Sequence, residues 1–559
     1  MLQYSPMDSI PALARLLLEK RGITGKDEAL KFLYPDYERD LLDPFLMDGM
    51  ERAVKRIFKA IKKKERVAIW GDYDCDGIPG SVILGDFFKK IGYKNYTHYI
   101  PHRHKEGYGM NCKGIDLLAK EGSKLIITVD SGITDLDSVE HSNSLNIDVI
   151  ITDHHLPGEK LPDAYAIINN KKAGDNYEFK FLSGSGTVWK LVCALFLWGR
   201  KKKILDVPLG FEKWLLDLAG LATIADMVPL VGENRVIAYY GLKVLQQTKR
   251  PGLRALLAKA RVNLRDLSEE DVGFCIGPRI NAASRMGEPI DALRLLSADD
   301  ISTAEPLAEH LEKLNNSRKS SVAKMIEEVE QLLGESPTSS VIVAGSENWS
   351  PGVVGLAASR IVERYGKSAF VWGGLESEEL RGSCRSDGTV NIVALMASAP
   401  AGTFAGFGGH EAAGGFSVAR GTENKLLEIM SLAYDVSEKI DTQGAKKSSP
   451  DTTLYVEDVN WNNYKLIQML APFGMGNPKP LFLFEDIVVE NSRMFGKMNE
   501  HLELTLSQNG SLVKAIKFFA GRERAQRSGA RISLLAHIEK DTFRHPATLR
   551  LKIVEIIER

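Results

Sequence analysis

Short apolar runs alternate with helix-like stretches over the first half of the chain. A first strand is expected at 66–71, runs rich in β-branched residues cover 124–130 and 147–153, and helical patterns separate them. This alternation is typical of βαβ units, so it predicts a parallel sheet. Residues 1–60 show amphipathic helical periodicity before the first strand. A second α/β pattern begins near residue 339.

The second half of the chain changes character twice. Residues 301–334 are charged and helical in pattern, with no Gly before the end, which predicts a long connecting helix. Residues 442–452 have the polar composition of a linker, and the remainder alternates between turn signals as in a small all-β barrel. We therefore predict an N-terminal helical segment (1–50), an α/β domain (51–300), a connecting helix (301–335), a smaller α/β domain (336–441) and a barrel (450–559).

Composition limits the classes of function. The 559 residues include 72 Lys plus Arg and 73 Asp plus Glu, so a polyanionic partner must be met by local patches. Five cysteines without a C-x-x-C pair disfavour disulfides and structural zinc, and they fit a reducing compartment. No run approaches about 18 uninterrupted apolar residues. We therefore expect a cytoplasmic protein without a membrane partner.

Acidic residues follow three of the predicted strands. The strands run into the sequences DYDCDG, VDSG and TDHH, which supply Asp72, Asp74, Asp76, Asp130, Asp153, His154 and His155. The first group alone also fits an ordinary acidic loop, because Asp and Gly are common in loops. The ends of parallel strands share one sheet edge, however, and carboxylates crowd there when a cation separates their charges. Hard divalent ions prefer carboxylate with some imidazole, so the pattern predicts a metal site.

Other motifs are ambiguous when each is taken alone. Asp226 follows a helical run and resembles a helix-end cap. The sequence DVGFCIGPRINAASRMG suits a phosphate backbone, through Arg279, Asn281 and Arg285, or forms a surface turn. The glycines of FAGFGGHEAAGGFSV offer backbone amides to an anion, or form a tight turn between strands. SGSGTVWK lacks the third glycine of a dinucleotide fingerprint, which disfavours such a cofactor.

Taken in order, these motifs resemble those of the DHH/DHHA1 phosphoesterase superfamily. The resemblance runs from about residue 50 to the C-terminus and is strongest to the 5′-to-3′ exonucleases of single-stranded DNA. It implies a parallel-sheet DHH domain and a smaller α/β DHHA1 domain joined by a long helix, followed by an OB-like barrel. It also implies hydrolysis of phosphodiester bonds with two divalent cations, Mn²⁺ or Mg²⁺, in DNA repair and recombination. Single-stranded DNA is the expected partner, with a single-strand-binding protein and a RecQ-type helicase as further partners.

The same resemblance implies roles for individual residues. The metal ligands are Asp74, Asp76, Asp130, His154 and Asp226, with Asp72 an outer or additional ligand. The catalytic residues are Asp76, Asp130 and His155, of which His155 faces the scissile phosphate. The substrate contacts are Arg103, Arg279, Asn281, Ser383, Arg385 and His410. Among these, Arg279 lies in a DNA-contacting turn, and Arg103 with a loop carrying Ser383 and Arg385 holds a 5′-terminal phosphate. The chain departs from the family pattern at Pro79, Ser284, Ser350 and Cys384.

Two other functions compete with this hypothesis. A phosphodiesterase of short oligonucleotides or cyclic dinucleotides usually ends after DHHA1 and carries a His where this chain has Trp70. The further domain after residue 450 also favours the exonuclease. A non-catalytic single-strand-binding replication subunit would have lost metal ligands, and here the ligand positions implied by the resemblance are all present.

Overall fold

The computed structural model describes residues 10–334, 337–374, 380–438, 440, 449–496, 499–518, 520, 526–541 and 546–557. Residues 1–9 of the predicted N-terminal segment and 442–448 of the predicted linker lie outside the described residues. Within these ranges, no helix is both long enough and apolar enough to cross a membrane.

The first domain is built on a five-stranded parallel sheet. Its strands are β1 (Arg66–Gly71), β2 (Tyr96–Tyr99), β3 (Ser123–Val129), β4 (Asp148–Thr152) and β5 (Ala166–Ile168). They pair in the order β2-β1-β3-β4-β5, and every pairing is parallel. The central strands are buried almost throughout, which explains their continuous apolar runs. The predicted parallel sheet is thus confirmed.

Helices surround this sheet and extend the first domain. They are α3 (Met50–Lys63), α4 (Gly77–Lys90), α5 (Cys112–Lys120), α6 (Leu136–Ser144), α7 (Gly184–Lys201), α8 (Phe211–Trp214), α9 (Leu216–Ala225), α10 (Gly232–Leu245), α11 (Pro251–Ala260), α12 (Glu269–Asp271), α13 (Gly277–Met286) and α14 (Ile290–Leu296). A π-helical turn, Val272–Ile276, joins α12 to α13.

The segment GPRINAASRM forms helix α13, so the expected turn is wrong. Its small residues Ala282, Ala283 and Ser284 are buried. The helix packs against α15 (Ile301–Leu333), the long helix that leads to the second domain, and small buried side chains suit close packing of helices. The run of small side chains therefore reflects close helix packing rather than a loop.

The second domain has a mixed sheet. Its strands are β6 (Ile342–Ser346), β7 (Ala369–Gly373), β8 (Leu380–Arg385), β9 (Gly406–His410) and β10 (Ala413–Val418). The order is β6-β7-β8-β10-β9, with only the β6–β7 pairing parallel. The helices are α16 (Pro351–Tyr365), α17 (Ile392–Ala397) and α18 (Glu423–Val436).

Strand β8 contains Ser383 and Arg385, so their expected location in a loop is wrong. Gly382 misled the sequence interpretation because glycine usually marks turns. In the structure it pairs with Phe416 on β10, whose ring occupies the space that a Cβ at residue 382 would need. An aromatic ring from a neighbouring strand can cover a strand glycine in this way and so fill the space left by the missing side chain.

The C-terminal domain is a closed barrel, as predicted. It contains β11 (Thr452–Thr453), α19 (Trp461–Gln468), β12 (Phe482–Phe495), β13 (His501–Gln508), β14 (Ser511–Lys517), β15 (Arg531–Asp541) and β16 (Thr548–Ile557). The order β11-β12-β13-β14-β16-β15 closes through a further β12–β15 pairing.

The N-terminal helices belong to the core of this barrel. Helices α1 (Ala12–Glu19) and α2 (Lys26–Leu33) bury Leu17, Leu18 and Leu33 in the same apolar cluster as the barrel strands. The two ends of the chain therefore form one packed unit.

Candidate metal centre

The loop after β1 places three carboxylates around the start of α4. Asp74 Oδ1 accepts hydrogen bonds from the backbone N–H groups of Asp76 (2.8 Å) and Gly77 (3.1 Å). Asp72 is only 4% exposed, and its Oδ1 has no hydrogen-bond partner among the described residues. Burial and the charge of Asp74 raise the pKa of Asp72 well above its usual range. A buried carboxylate oxygen without a hydrogen-bond partner is suited to coordinate a cation.

Asp76 is held by the start of helix α7. Its two carboxylate oxygens accept hydrogen bonds from the N–H groups of Gly184 (2.6 Å) and Ser185 (2.7 Å). The Ser185 hydroxyl also donates to the carbonyl of Asp76. Burial and Asp74 raise the pKa of Asp76 to about 6 despite these hydrogen bonds. The positive end of the helix thus balances part of one carboxylate charge.

The SGSG segment is therefore part of the site, which the sequence interpretation missed. It is incomplete as a dinucleotide-binding motif, but its serine and small residues mark the start of a helix. Ser183 caps α7 by accepting a hydrogen bond from the N–H of Gly186. A serine-capped helix start with small residues is suited to bind an anionic group, here a side chain of the same protein.

Asp130, His154 and Asp226 meet Asp76 in one buried cluster. His154 Nε2 lies 3.1 Å from an oxygen of Asp130, 3.7 Å from one of Asp226 and 3.8 Å from one of Asp76. Asp130 follows β3, His154 follows β4 and Asp226 ends α9, so three elements converge. The helix-end position of Asp226 does not exclude a place in the cluster.

Without a cation, the cluster combines a neutral imidazole with carboxyl groups that tend to keep their protons. Burial and the charge of His155 lower the pKa of His154 to about 3, so its imidazole is neutral, the form that binds metals. Burial and Asp76 raise the pKa of Asp226 to about 9, and they raise that of Asp130 well above its usual range. A bound divalent cation would lower these values.

His155 belongs to a separate hydrogen-bonded group beside the cluster. Its Nδ1 lies 2.8 Å from an oxygen of Asp153. Although burial opposes it, this bond raises the pKa of His155. Asp153 also accepts bonds from the N–H groups of His154, His155 and Ile133, so it positions the loop. The Tyr108 hydroxyl donates to the Asp130 carbonyl and lies 3.0 Å from His155 Nδ1. The sequence interpretation missed Tyr108, which no local pattern singles out.

Helix α13 supports the metal loop through Asn281. The side-chain oxygen of Asn281 accepts a hydrogen bond from the N–H of Cys75 (2.8 Å), between Asp74 and Asp76. Arg279 is only 7% exposed; it pairs with Glu312 and donates to the Cys275 carbonyl. In this structure both side chains are thus engaged within the protein.

The loop of Arg103 and the strand that carries Ser383 and Arg385 belong to different α/β domains and contact each other. Arg385 donates to the Ser383 hydroxyl (2.9 Å). Arg103 lies over the ring of Tyr73, 4.9 Å from its centroid. The neighbouring His104 carbonyl accepts a bond from Arg381 on β8 (3.2 Å), so the loop of Arg103 contacts the strand of Ser383 and Arg385.

Arg285 lies in the same region. It donates to the Gly352 carbonyl at the start of α16 (2.9 Å). Burial and the neighbouring charges of Arg103 and Arg318 lower the pKa of Arg285 to about 10. Cations crowded in this way favour an anion among them. His410, in contrast, is exposed on the edge strand β9, and no contact among the described residues joins it to the acidic cluster.

The residues present fit divalent cations. Three groups have ligand atoms that lie within 4.8 Å of one another: Asp130, His154 and His155; Asp76, His154 and Asp226; Asp72, Asp74 and Asp130. The donors are carboxylate oxygens and imidazole nitrogens, which suit Mn²⁺ or Mg²⁺.

Family models match all three domains. The matches are to the DHH family, N-terminal domain (residues 66–223), the DHHA1 domain (338–436) and the RecJ OB domain (450–555). Fold and site together define a DHH/DHHA1 phosphoesterase with a C-terminal OB domain.

Known proteins narrow this class. The chain is 30% identical over 565 residues to the single-stranded-DNA-specific exonuclease RecJ of Escherichia coli, covering 98% of this chain and 96% of that protein. It is 36% identical over 537 residues to RecJ of Bacillus subtilis, covering 95% of this chain but 66% of that longer protein. The crystal structure of RecJ from Thermus thermophilus in complex with Mn²⁺ superposes with a TM-score of 0.80 at 25% identity, covering 98% of this chain and 76% of that one. The chain therefore belongs to the RecJ family of single-stranded-DNA-specific exonucleases.

Proposed function

We propose that this protein is a metal-dependent exonuclease that degrades single-stranded DNA from its 5′ end by a two-metal mechanism. The observation that carries the proposal is the convergence of five expected ligands at one sheet edge: Asp74, Asp76, Asp130, His154 and Asp226. The relatives' names supply the substrate class, and the Mn²⁺ in the T. thermophilus RecJ structure agrees with the donor set.

The chain's own residues prepare this site for a phosphodiester. Two bound Mn²⁺ or Mg²⁺ ions would neutralise the substrate's charge, lower the pKa of a bound water and stabilise the leaving oxygen. Asp76 is fixed by the amides of α7, and Asp74 by those of α4. His154 presents a neutral nitrogen to the acids because burial lowers its pKa to about 3. The ligand geometry is therefore set by the protein.

His155 is proposed to contact the scissile phosphate. Its Nδ1 bonds to Asp153, and this raises the pKa of the ring. The hydrogen bonds of the ring to the described residues all involve Nδ1, so Nε2 is available to donate to a phosphate oxygen. The Tyr108 hydroxyl lies 3.0 Å from the same Nδ1.

The proposed polarity depends on the terminal phosphate. Arg385, Ser383 and Arg103 supply two guanidinium groups and a hydroxyl, which is the chemistry that binds a dianionic end. Gly355 of α16 faces this group: a Cβ there would lie 3.0 Å from Ser383 Oγ and 3.3 Å from Arg385 Nη2. A 5′-phosphate fixed here would place the first phosphodiester at the metal centre. Arg279, Asn281 and His410 would contact the strand further from its 5′ end. Arg279 and Asn281 would first have to leave their present partners within the protein.

The first experiment compares strands labelled at the 5′ and at the 3′ end with Mn²⁺ and with Mg²⁺. The label at the 5′ end should be released in the first turnover. Asp76→Ala should abolish hydrolysis and leave single-strand binding nearly intact, because the binding surfaces lie elsewhere. Asp137→Ala, an exposed acid on α6, is the matched control. Substantial turnover by Asp76→Ala with bound metal would refute the site.

The second experiment tests the terminal-phosphate site. Arg385→Ala should lose most of the preference for a 5′-phosphate over a 5′-hydroxyl, an effect of about ten- to hundredfold for a charge-assisted hydrogen bond. Arg360→Ala on α16, an exposed arginine, serves as control. If wild type and Arg385→Ala discriminate the two ends equally, the polarity has another origin.

The proposed role is in DNA repair and recombination. Such an exonuclease needs a single strand that another protein exposes, so a RecQ-type helicase and a single-strand-binding protein are the proposed partners. Addition of either should stimulate degradation of a duplex with a short 5′ overhang, and no stimulation would count against that partner.

A further inference from the structure

Phe274 is a large aromatic residue on an exposed and unusual piece of backbone. It lies in the π-helical turn Val272–Ile276, and 77% of its surface is exposed. A Cβ on the preceding Gly273 would meet no atom within 4 Å, so the space around this turn is open. Single π-helical turns are frequent at functional sites.

The position of this turn relative to the metal cluster follows from α13. A Cβ at Gly277 would lie 3.7 Å from the sulfur of Cys75 and 3.5 Å from the Cβ of Ala225. One turn later, Asn281 bonds the N–H of Cys75. Gly277 and Asn281 are four positions apart in α13, so they share one face of that helix. Phe274 lies in the π-helical turn that leads into this face, three residues before Gly277.

Two methionines on neighbouring segments are exposed too. Met227, directly after Asp226, is 67% exposed, and its backbone has a φ of 59°. Met475 of the neighbouring loop is 55% exposed, and its carbonyl accepts a bond from the N–H of Leu230 (2.7 Å). The same loop reaches the start of the Phe274 segment, where the N–H of Phe473 bonds Glu269. Met227 thus follows a residue of the cluster directly, and the loop of Met475 contacts both the segment after Met227 and the segment before Phe274.

Charges of both signs lie near these groups. Asp271 and Glu312 as well as Arg279 and Lys319 lie close enough to Cys275, the residue after Phe274, to influence its thiol electrostatically. Arg279 is buried and paired with Glu312, whereas Lys319 is exposed. Single-stranded nucleic acid is bound by positive charges, which contact its phosphate backbone, together with aromatic rings, on which its bases stack.

We propose that Phe274 stacks on a nucleobase of the single strand near the scissile phosphate, with Met227 and Met475 as further apolar contacts. The inference rests on the proposed exonuclease function and adds a base-binding position to it. Stacking tolerates every base, because each has a π face. A base within a duplex has both faces covered by its neighbours, so this contact also favours single strands.

The test combines a protein variant with a modified substrate. Wild type is given an oligonucleotide in which one abasic nucleotide occupies each position near the 5′ end in turn. Degradation should slow by about tenfold at one register, where the missing base would face Phe274; loss of a stacking contact has an effect of this order. Phe274→Ala should be slower by a similar factor on the intact strand and show no additional slowing at that register.

Controls separate stacking from folding and from activity. Trp214→Ala removes another exposed aromatic residue, on α8, and should behave as wild type. Phe274→Trp should keep the rate, and its fluorescence, relative to wild type, should be quenched by oligo(dT) in chelator, where no hydrolysis occurs. Full activity of Phe274→Ala, or an abasic effect that persists in it, would overturn the inference, as would fluorescence of Phe274→Trp that DNA leaves unchanged. Failure of wild type to degrade ordinary strands would instead refute the proposed exonuclease.

Discussion

Arg235 on α10 joins the first domain to the unit formed by the two ends of the chain. Its guanidinium donates to the carbonyls of Phe32 (2.8 Å), Leu470 (2.8 Å) and Ala471 (3.0 Å). It also lies 3.8 Å from the centroid of the Phe32 ring, and the side chain is 3% exposed. Replacement by Met keeps much of the apolar stem but removes every donor. We expect Arg235→Met to loosen the barrel from the first domain.

The size of the effect can be worked from these contacts. Hydrogen bonds from a charged group contribute about 1.5–3 kcal/mol each, so three give about 5–9 kcal/mol before other effects. Burial of the guanidinium opposes this, since burial and the charge of Arg21 lower the pKa of Arg235 to about 9. Arg235→Met leaves the carbonyls of Phe32, Leu470 and Ala471 without their donor, and each buried polar group left without a partner costs about 1–3 kcal/mol. We take about 3 kcal/mol, which is a factor of more than 100 in the docking equilibrium.

Calorimetry and limited proteolysis measure this change. Arg235→Met should split or lower the unfolding transition and expose the segment between α19 and β12 to protease. Binding to long strands should weaken, while hydrolysis of short oligonucleotides should persist because Arg235 bonds none of the expected metal ligands. Arg254→Met, an exposed arginine on α11, is the matched control. An unchanged transition and digestion pattern would show that other contacts, such as Lys540 with Asp266, suffice for docking.

Three further predictions concern the metal cluster and the barrel. Gly184→Ala should reduce activity by about 100-fold or more, because the new Cβ would lie 2.5 Å from Cγ of Asp130 and displace it. Gly158→Ala, on an exposed loop, is the control. Full activity of Gly184→Ala would contradict the geometry. Burial and a neighbouring carboxylate raise the pKa of Asp226 to about 9, so in chelator its ionisation opposes folding increasingly as the pH rises from about 4 toward that value. A bound divalent cation offsets the charge of the ionised carboxylate, so the rise in unfolding temperature on adding Mn²⁺ should be larger at about pH 8.5 than at about pH 5.5. Equal rises at the two pH values would count against a cation bound at Asp226. Deletion of 450–559 should make the N-terminal helices protease-sensitive, because it removes their apolar partner, and continued protection would show that they pack elsewhere.

The sequence predicts elements whose pattern is local and repeats. The strands of the first sheet are apolar runs with acids at their ends, so both the sheet and the edge that carries the acids follow from the sequence. Helix α13 and strand β8 lack such periodicity, because small residues serve close packing: the buried Ala282 and Ala283 in α13, and Gly382 beneath Phe416. Neither arrangement can be inferred from hydrophobicity alone.

Long-range contacts are a second limit. Arg235 and the carbonyl of Leu470 are 235 positions apart, and nothing local to either indicates the other. The same holds for Gly184 and Ser185, which bond a carboxylate that lies 108 and 109 positions earlier. For Asp226 the local pattern favours a helix cap, and only the family resemblance pointed to the cluster.

These contacts explain how so many acids can share one site before a cation binds. The amides of α7 stabilise the charge of Asp76, and the N–H groups of α4 stabilise that of Asp74. Asp153 is balanced by His155 and three backbone N–H groups, as the lowering of its pKa indicates although burial opposes it. The unbalanced acids are Asp72, Asp130 and Asp226, whose pKa values burial and neighbouring carboxylates raise. Since hydrogen bonds fix the first group without metal, the cations need only replace protons on the second, and the site can hold its shape while they exchange.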